Sequence, residues 1–448
     1  METSDWNEAE RRVERAQELI EQRKWQEALD ELRAATSINP YNSTWYFNIG
    51  VTLDEMGRLE EAAHAYRQAL AIDSDDVQAL QRLGCDLHDL GRFDQAISVL
   101  EKLQAVDATC EASYCGRIPA YTELGEHEKA EEMFYIARLY REHCPDCYYN
   151  MGVSLAQRGL HDKAIFCWNR ALDGQECWPE AHVRIAESHW AKNELEQARR
   201  HYMLGLRQDP GNTGMLLDLS ELLIEMQRWD EAGEKIRRAI ELAPEDAPAR
   251  CCHGRWLLRR DRLDDAASSL ARALALDPAC SGAHMHLAAV HLRRGETELA
   301  RKHLRGELLL NPESPQLLMD LSNLLIDARD FRSASACLRR LVSAQPRNFG
   351  AWLNLGVAQF LRGRFADGLS ACEQALRLDP RSVMARFNLA LAHGQSAHYD
   401  AALAQVRDGL RHAPRDTTLQ RLEFRLKVLR FRSRVARIVR RAVPIFGM

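Results

Sequence analysis

The 448-residue sequence predicts an all-α solenoid, a stack of antiparallel helix pairs, and three observations support this fold class. A 34-residue period runs from Ala9 to Asp416 as twelve consecutive blocks without insertion or deletion. Small residues fill the eighth and twentieth places of nearly all blocks, which lets two helices approach closely. Proline closes eight blocks, because it cannot continue a helical hydrogen-bond ladder. Since one helix pair cannot bury both apolar faces, each pair must stack on its neighbours.

The block Phe349–Ser382 shows this pattern most clearly. Apolar residues at helical spacing around Trp352 form one amphipathic stretch, and Gly363 breaks it. A second amphipathic stretch begins at Phe365 and ends before Pro380. The block therefore predicts a helix, a tight turn and a second helix.

The block boundaries define the predicted domain organisation. Residues 1–8 form a lead-in, residues 9–416 form twelve repeats of one continuous solenoid, and residues 417–448 form a basic amphipathic capping helix and tail. Block four departs from the pattern, because Gly116 and Pro119 fall inside its first helix. Proline removes a backbone hydrogen bond there, so the sequence predicts a kinked or shortened helix.

Five places of the block pattern together resemble the tetratricopeptide repeat (TPR): an aromatic residue or leucine at the fourth, Leu-Gly at the seventh and eighth, Ala at the twentieth and Pro at the thirty-second. The resemblance covers Ala9 to Asp416. It implies a right-handed superhelix whose first helices line a concave groove that receives a peptide or a partner's helix. The expected function is that of a non-enzymatic protein-interaction scaffold or adaptor, with no catalytic residue and no cofactor. The fold alone does not identify the partner.

The groove-facing places of that family include the sixth place of each block. Four blocks carry asparagine there: Asn48, Asn150, Asn354 and Asn388. Their amides can both donate to and accept from a peptide backbone. This partly resembles the asparagine ladder of the O-GlcNAc transferase repeat domain, although the other eight sixth places hold other residues. The basic clamp of chaperone-binding cochaperones is absent, because Val13, Phe47 and Gln81 stand at its fifth places.

Charge is uneven along the predicted groove. Residues 1–110 carry twenty-two acids and eleven bases, whereas the eighth and ninth blocks carry a group of arginines that includes Arg255, Arg259 and Arg293. Such a run is often only a solvated surface. The alternative is that these arginines pair with acidic side chains or a carboxylate of a bound segment, which would set its orientation and association rate.

Twelve cysteines are spread over helical positions, as is typical of a reducing compartment. Cys144 and Cys147 form a C-x2-C pair at the start of a first helix, with Cys110 and Cys115 upstream at a spacing that allows four thiolate metal ligands. A helix N-terminus also lowers a thiol pKa, so a redox role is a second alternative. Ordinary packing is favoured, because Cys110 and the pair fall on successive block junctions and stacked repeats lie about 10 Å apart. No metal is therefore expected.

Histidines are a weaker metal candidate. The candidates, all on first helices, are His182, His189, His284, His286 and His291. Two of these, His284 and His291, lie on adjacent turns of one helix face. A metal site would need a third ligand that the sequence does not supply, so core or groove-lining roles are favoured.

The segment 417–448 changes the charge of the chain, with nine Lys or Arg and one acid. Five apolar residues are predicted to dock on the last repeat as a solvating cap: Leu419, Leu422, Leu426, Leu429 and Phe431. Weak contact of this segment with an anionic membrane is the alternative, and it would make the chain a tethered assembly factor. Nucleic acid is not expected, since the net charge is −5. With no signal peptide or apolar span visible, a cytoplasmic location is expected.

Overall fold

The computed structural model describes residues 3–174, 177–310 and 314–442, and the chain divides into two compact units, Met1–Arg228 and Trp229–Met448. Every regular element in these described ranges is an α-helix, and the helices follow one another as tandem pairs, which confirms the predicted fold class.

The first unit contains these helices: α1 (Thr3–Glu21), α2 (Trp25–Ile38), α3 (Ser43–Glu55), α4 (Leu59–Ile72), α5 (Val77–Asp89), α6 (Phe93–Val106), α7 (Glu111–Cys115), α8 (Arg117–Glu123), α9 (His127–Tyr140), α10 (Pro145–Gln157), α11 (His161–Leu172), α12 (Pro179–Ala191), α13 (Leu195–Gln208) and α14 (Thr213–Glu225). The second unit contains these: α15 (Trp229–Leu242), α16 (Ala247–Arg259), α17 (Leu263–Leu276), α18 (Ala283–Arg293), α19 (Thr297–Leu309), α20 (Pro315–Asp327), α21 (Phe331–Ala344), α22 (Phe349–Leu361), α23 (Phe365–Leu378), α24 (Val383–Gln395), α25 (Tyr399–His412) and α26 (Thr417–Ala442).

The last residue of each block sits immediately before a first helix and often caps it. Asp76, for example, accepts hydrogen bonds from the backbone N–H groups of Gln78 and Ala79. The other side-chain oxygen caps at this place are Asn212, Asp246, Ser314, Asn348, Ser382 and Asp416. Because these oxygens satisfy amides that have no intrahelical partner, the block register also fixes where first helices begin.

The small residues at the eighth and twentieth places lie where the paired helices meet. All eleven alanines at the twentieth place are fully buried. In the reference block, a Cβ added at Gly356 would overlap the Cys372 sulfur and would lie 3.2 Å from the carbonyl oxygen of Gly368. Close approach of helix main chains therefore requires the small residues, as the sequence predicts.

The turn within each repeat has a constant backbone conformation. The fifteenth residue of all twelve blocks has a positive φ, between 57° and 77°. Glycine occupies six of these places, and a side chain occupies the others: Arg23, Asn193, Gln227, Asp261, Arg329 and Ala397. Left-handed backbone is unfavourable for residues with a Cβ, so packing of the two helices imposes this turn.

Block four is irregular, as predicted. Its first helix is divided into α7 and α8 at Gly116, and Pro119 lies in the first turn of α8, where its missing N–H costs little. Block nine is irregular as well, since α18 begins two residues later than the register predicts. The buried Glu307 carboxylate accepts the backbone N–H groups of Gly282 (2.8 Å) and Met285 (3.1 Å) and so caps that helix.

Candidate functional site

The four predicted groove asparagines are all half-buried, and they are divided between the two units. Asn48 and Asn150 belong to the first unit, and Asn354 and Asn388 belong to the second. The Asn354 Nδ2 group donates to the Asn323 Oδ1 atom at 2.8 Å. Asn323 stands at the ninth place of block ten, which is also a groove-facing place of the family.

A cavity of about 510 Å³ joins two of these asparagines in the second unit. Asn354 on α22 and Asn388 on α24 contribute to its wall together with apolar residues. The apolar residues that line it include Leu353, Val357, Met384 and Phe387. Met384 is 62% exposed, so an apolar side chain of a partner would find an accessible surface beside two amides.

The three predicted arginines have different environments. Arg293 donates to the Leu258 carbonyl oxygen at 2.8 Å and to Asp261 at 3.3 Å, so it holds the turn of the preceding repeat. Arg255 is half-buried and contacts the Cys252 sulfur. Arg259 is exposed and forms no ion pair within the described ranges. Of the three, Arg259 is the residue that is available to a ligand.

A carboxyl pair, half-buried Asp54 and buried Asp86, lies in the acidic first unit. The Tyr66 hydroxyl donates to Asp54 Oδ2 at 2.6 Å, and Asp86 is 4% exposed. Burial raises the pKa of Asp86 to about 7, and the negative charge of Asp54 adds to the shift. Asp54 and Asp86 also share a side-chain hydrogen bond, so this carboxyl pair joins repeat two to repeat three.

Four metal-ligating side chains converge at the junction of repeats four and five. The donor atoms of Glu111, Cys115, Cys144 and Cys147 all lie within 4.8 Å of one another. The Cys115 and Cys144 sulfurs are 4.0 Å apart, and the Cys147 thiol donates to Glu111 Oε1 at 3.2 Å. Cys110, which the sequence offered as a fourth ligand, lies outside this group.

The broken first helix explains why these residues meet. Glu111 and Cys115 begin and end the five-residue α7, while Cys144 precedes α10 and Cys147 lies in its first turn. The Cys147 backbone N–H donates to the Cys144 sulfur at 3.2 Å, which is an N-cap interaction. Hydrogen bonds from the Cys115 thiol and from the Cys147 backbone N–H lower the pKa of the Cys144 thiol, against the opposing effect of burial.

Two histidine clusters repeat the same geometry 102 residues apart. The Nδ1 atoms of His182 and His201 are 3.4 Å apart, and those of His284 and His303 are 3.0 Å apart. His201 and His303 lie on second helices, and the sequence analysis considered only histidines on first helices, so it did not predict these pairs. Burial lowers the pKa of both to about 4, and neighbouring histidines add to the shift. A third histidine stacks on the second-helix histidine of each pair, His189 on His201 and His291 on His303. The Nδ1 atom of each third histidine instead contacts a glutamate, Glu194 or Glu296.

The C-terminal helix caps the last repeat with part of its predicted apolar face. Leu419, Leu422 and Leu426 are buried as predicted, whereas Phe431, also predicted to dock, is 67% exposed. The prediction for Phe431 is wrong because α26 spans 26 residues and α25 only 14, so the second half of α26 extends beyond its support. None of the described helices has the length and apolar character needed to cross a bilayer. Residues 443–448 of the predicted tail lie outside the described ranges.

Solved structures that are similar to all or part of this chain include the following three. The APC/C hetero-tetramer Cut9–Hcn1 is 15% identical over 92% of this chain and 95% of that chain, with a TM-score of 0.43. Yeast Tom70 is 16% identical over 96% of each chain, with a TM-score of 0.39. Pseudomonas aeruginosa PilF is 18% identical over 48% of this chain and 98% of that chain, with a TM-score of 0.41. No curated protein matches the sequence.

Family models described as tetratricopeptide repeat match the chain at several places. One matches residues 13–77, 183–247, 253–316 and 319–383, and a second matches residues 55–118. These segments follow the helix pairs described above, and the first model alone covers more than half of the sequence. The chain therefore belongs to the tetratricopeptide repeat family.

Proposed function

We propose that this chain is a non-enzymatic scaffold or adaptor that binds a segment of a partner protein along the first helices of its C-terminal repeats. Tetratricopeptide repeats generally mediate protein–protein interaction. The observation that carries the proposal is the cavity lined by Asn354 and Asn388 beside Leu353, Met384 and Phe387. No residue is assigned a catalytic role.

The two amides suit an extended peptide for different reasons. Asn354 is oriented by its hydrogen bond to Asn323, which reduces the entropy lost when it binds. Asn388 forms no side-chain hydrogen bond within the described ranges, so its donor and its acceptor both remain available to a peptide group. An apolar partner side chain that enters between them would contribute about 1.5 to 3 kcal/mol through burial.

A basic contact would complete recognition of the partner. Arg259 is exposed and unpaired among the described residues, so it suits an acidic side chain of the bound segment. Arg293 does not suit this role, because its guanidinium already binds the Leu258 carbonyl and Asp261. We therefore expect Arg259→Ala to slow association at low salt, whereas Arg293→Ala would chiefly destabilise the local turn.

The test is selection of a displayed random-peptide library on the full chain, followed by affinity measurement of the selected peptides. We expect Asn354→Ala with Asn388→Ala to weaken binding at least about tenfold, since two hydrogen bonds to the peptide are lost. Gln374→Ala is the matched control, because it removes an amide from α23 of the same repeat. Unchanged affinity in the double asparagine variant would disprove the proposed site.

A second candidate function, attachment to an anionic membrane, is favoured by the exposed face of α26. Four apolar side chains at helical spacing are exposed there: Phe424, Val428, Phe431 and Val435. The bases on the same helix segment that form no ion pair within the described ranges are Arg421, Arg425, Arg432 and Arg434. An exposed apolar stripe beside arginines is typical of a helix that lies in a membrane interface.

Flotation of the full chain with vesicles that contain phosphatidylserine separates this candidate from the first. We expect binding that weakens with salt and is lost in the variant Phe424→Ser with Phe431→Ser. Phe166→Ser is the control, because Phe166 is 62% exposed but lies on α11, far along the sequence from α26. If the wild-type chain does not float, or if the double variant floats equally well, the membrane candidate is eliminated.

A further inference from the structure

We propose that Glu111, Cys115, Cys144 and Cys147 bind one Zn²⁺ ion that joins the broken first helix of repeat four to repeat five. This site is independent of partner binding, and no family property implies it. Among the residues that the structure describes, these form the one group of His, Cys, Asp and Glu side chains that brings four ligand atoms within 4.8 Å of one another.

Two ligand-to-ligand distances are close to those of a tetrahedral zinc site, and no two of the four donor atoms are more than 4.8 Å apart. Zinc binds thiolates at about 2.3 Å, which places two sulfurs of a tetrahedral site about 3.8 Å apart. The Cys115 and Cys144 sulfurs are 4.0 Å apart, so they need to move by only a few tenths of an ångström. The Cys147 sulfur and Glu111 Oε1 are 3.2 Å apart, also close to one edge of a zinc tetrahedron.

The donor set selects the metal. Three sulfurs and one carboxylate favour a borderline-soft cation such as Zn²⁺ over Mg²⁺ or Ca²⁺, which prefer oxygen ligands. Each thiol loses its proton to solvent on coordination, and the resulting excess negative charge needs compensation. The N-terminus of α10 and Arg141, whose Nη1 lies 3.6 Å from Glu111 Oε2, supply positive charge at the site.

The surroundings suit a structural metal. Cys144 and Cys147 are almost fully buried and Cys115 is 9% exposed, so the sulfurs are shielded from solvent and from oxidants. A cavity of about 450 Å³ borders the cluster and is lined in part by Glu111, Cys115 and Arg141, which gives the ion a path of entry. The α7 helix has only five residues, and a metal bond to α10 would hold it where its own hydrogen bonds are few.

The test uses the reduced full chain and Co²⁺ or Zn²⁺ alone as probes. We expect one metal per chain, with the thiolate-to-cobalt charge-transfer band and the visible bands of tetrahedral Co²⁺ that Zn²⁺ then abolishes. Cys115→Ser and Cys147→Ser should each weaken binding by more than about a hundredfold, and Glu111→Gln by about tenfold. Cys110→Ser and Cys167→Ser, one beside the cluster and one buried in α11, are controls that should keep full binding.

Three results would overturn the proposal. The first is a reduced wild-type chain that binds less than one metal ion per chain or gives no charge-transfer band. This result does not depend on whether any variant folds. The second is full metal binding by Cys147→Ser. The third is a Cys115–Cys144 disulfide in the isolated chain together with no metal binding after its reduction.

Discussion

Replacement of Gly356 by alanine tests whether close helix contact, rather than helix propensity, controls the stability of a repeat. Alanine is favoured over glycine inside a helix by about 1 kcal/mol, so propensity alone predicts a more stable chain. The added Cβ, however, would overlap the buried Cys372 sulfur and lie 3.2 Å from the Gly368 carbonyl oxygen. Because that oxygen belongs to the main chain, a rotamer change cannot relieve the contact. Overpacking of this kind costs about 1 to 3 kcal/mol, which outweighs the gain in helix propensity and leaves a net destabilisation of up to about 2 kcal/mol.

Gly214→Ala is the matched control, because a Cβ there meets only Asn212 Oδ1, at 3.5 Å. We expect this variant to be as stable as wild type or slightly more stable. Long repeat arrays need not unfold in one step, so the measurement is the local opening free energy from hydrogen exchange, of α22 and α23 amides for Gly356→Ala and of α14 amides for Gly214→Ala. If Gly356→Ala protects those amides as well as wild type does, the argument from close contact is refuted.

Four further predictions concern titration and backbone. Asp86 has a folded pKa of about 7 against about 3.9 unfolded, so it stabilises the fold at low pH and loses this effect as pH rises through 7. Asp86→Asn should therefore raise the local opening free energy of α5 by about 1 to 2 kcal/mol at pH 8, measured by hydrogen exchange. His201 and His303 have the opposite sign, since their pKa values fall to about 4: stability is full above pH 6.5 and declines toward pH 4, and replacing both by glutamine should flatten the profile of Tm against pH. Glu307→Gln should cost about 1.5 to 3 kcal/mol, seen as faster exchange at the start of α18, because it weakens two charge-assisted bonds. Arg329→Gly should raise local stability by about 1 kcal/mol in the same assay, because glycine adopts the positive φ without strain, and no gain there would contradict an imposed turn.

The repeat period predicts the helix pairs, and Gly116 with Pro119 predicts the irregular first helix of block four. Ala266 at a twentieth place is fully buried, and Asp246 caps a first helix at the block boundary, because both depend on local register alone. Side-chain contacts between successive repeats could not be predicted in this way. They depend on how far one helix is displaced against the next, and the 34-residue pattern contains no information on that displacement.

The cysteine cluster illustrates this limit. Equivalent places of stacked repeats are indeed separate, and Cys110 is not part of the cluster. Cys115, however, lies about one helical turn after Cys110 in the sequence. It contacts Cys144 because Cys115 is the fifth residue of its block and Cys144 the last, so the two are not at equivalent places. Arg293 shows the same effect, since its binding to the preceding turn depends on contact across repeats. The histidine pairs could have been predicted from the sequence, because His303 follows His201 at an interval of three 34-residue blocks.

The residue type at the constant turn conformation affects where the chain opens transiently. Turns with glycine run together in blocks two to five, while the next three blocks carry Asn193, Gln227 and Asp261 in left-handed backbone. Each side chain there adds a local cost that is recovered when its turn opens. We therefore expect transient opening to concentrate in the middle of the sequence, and a protease at low concentration should cleave first near these three turns.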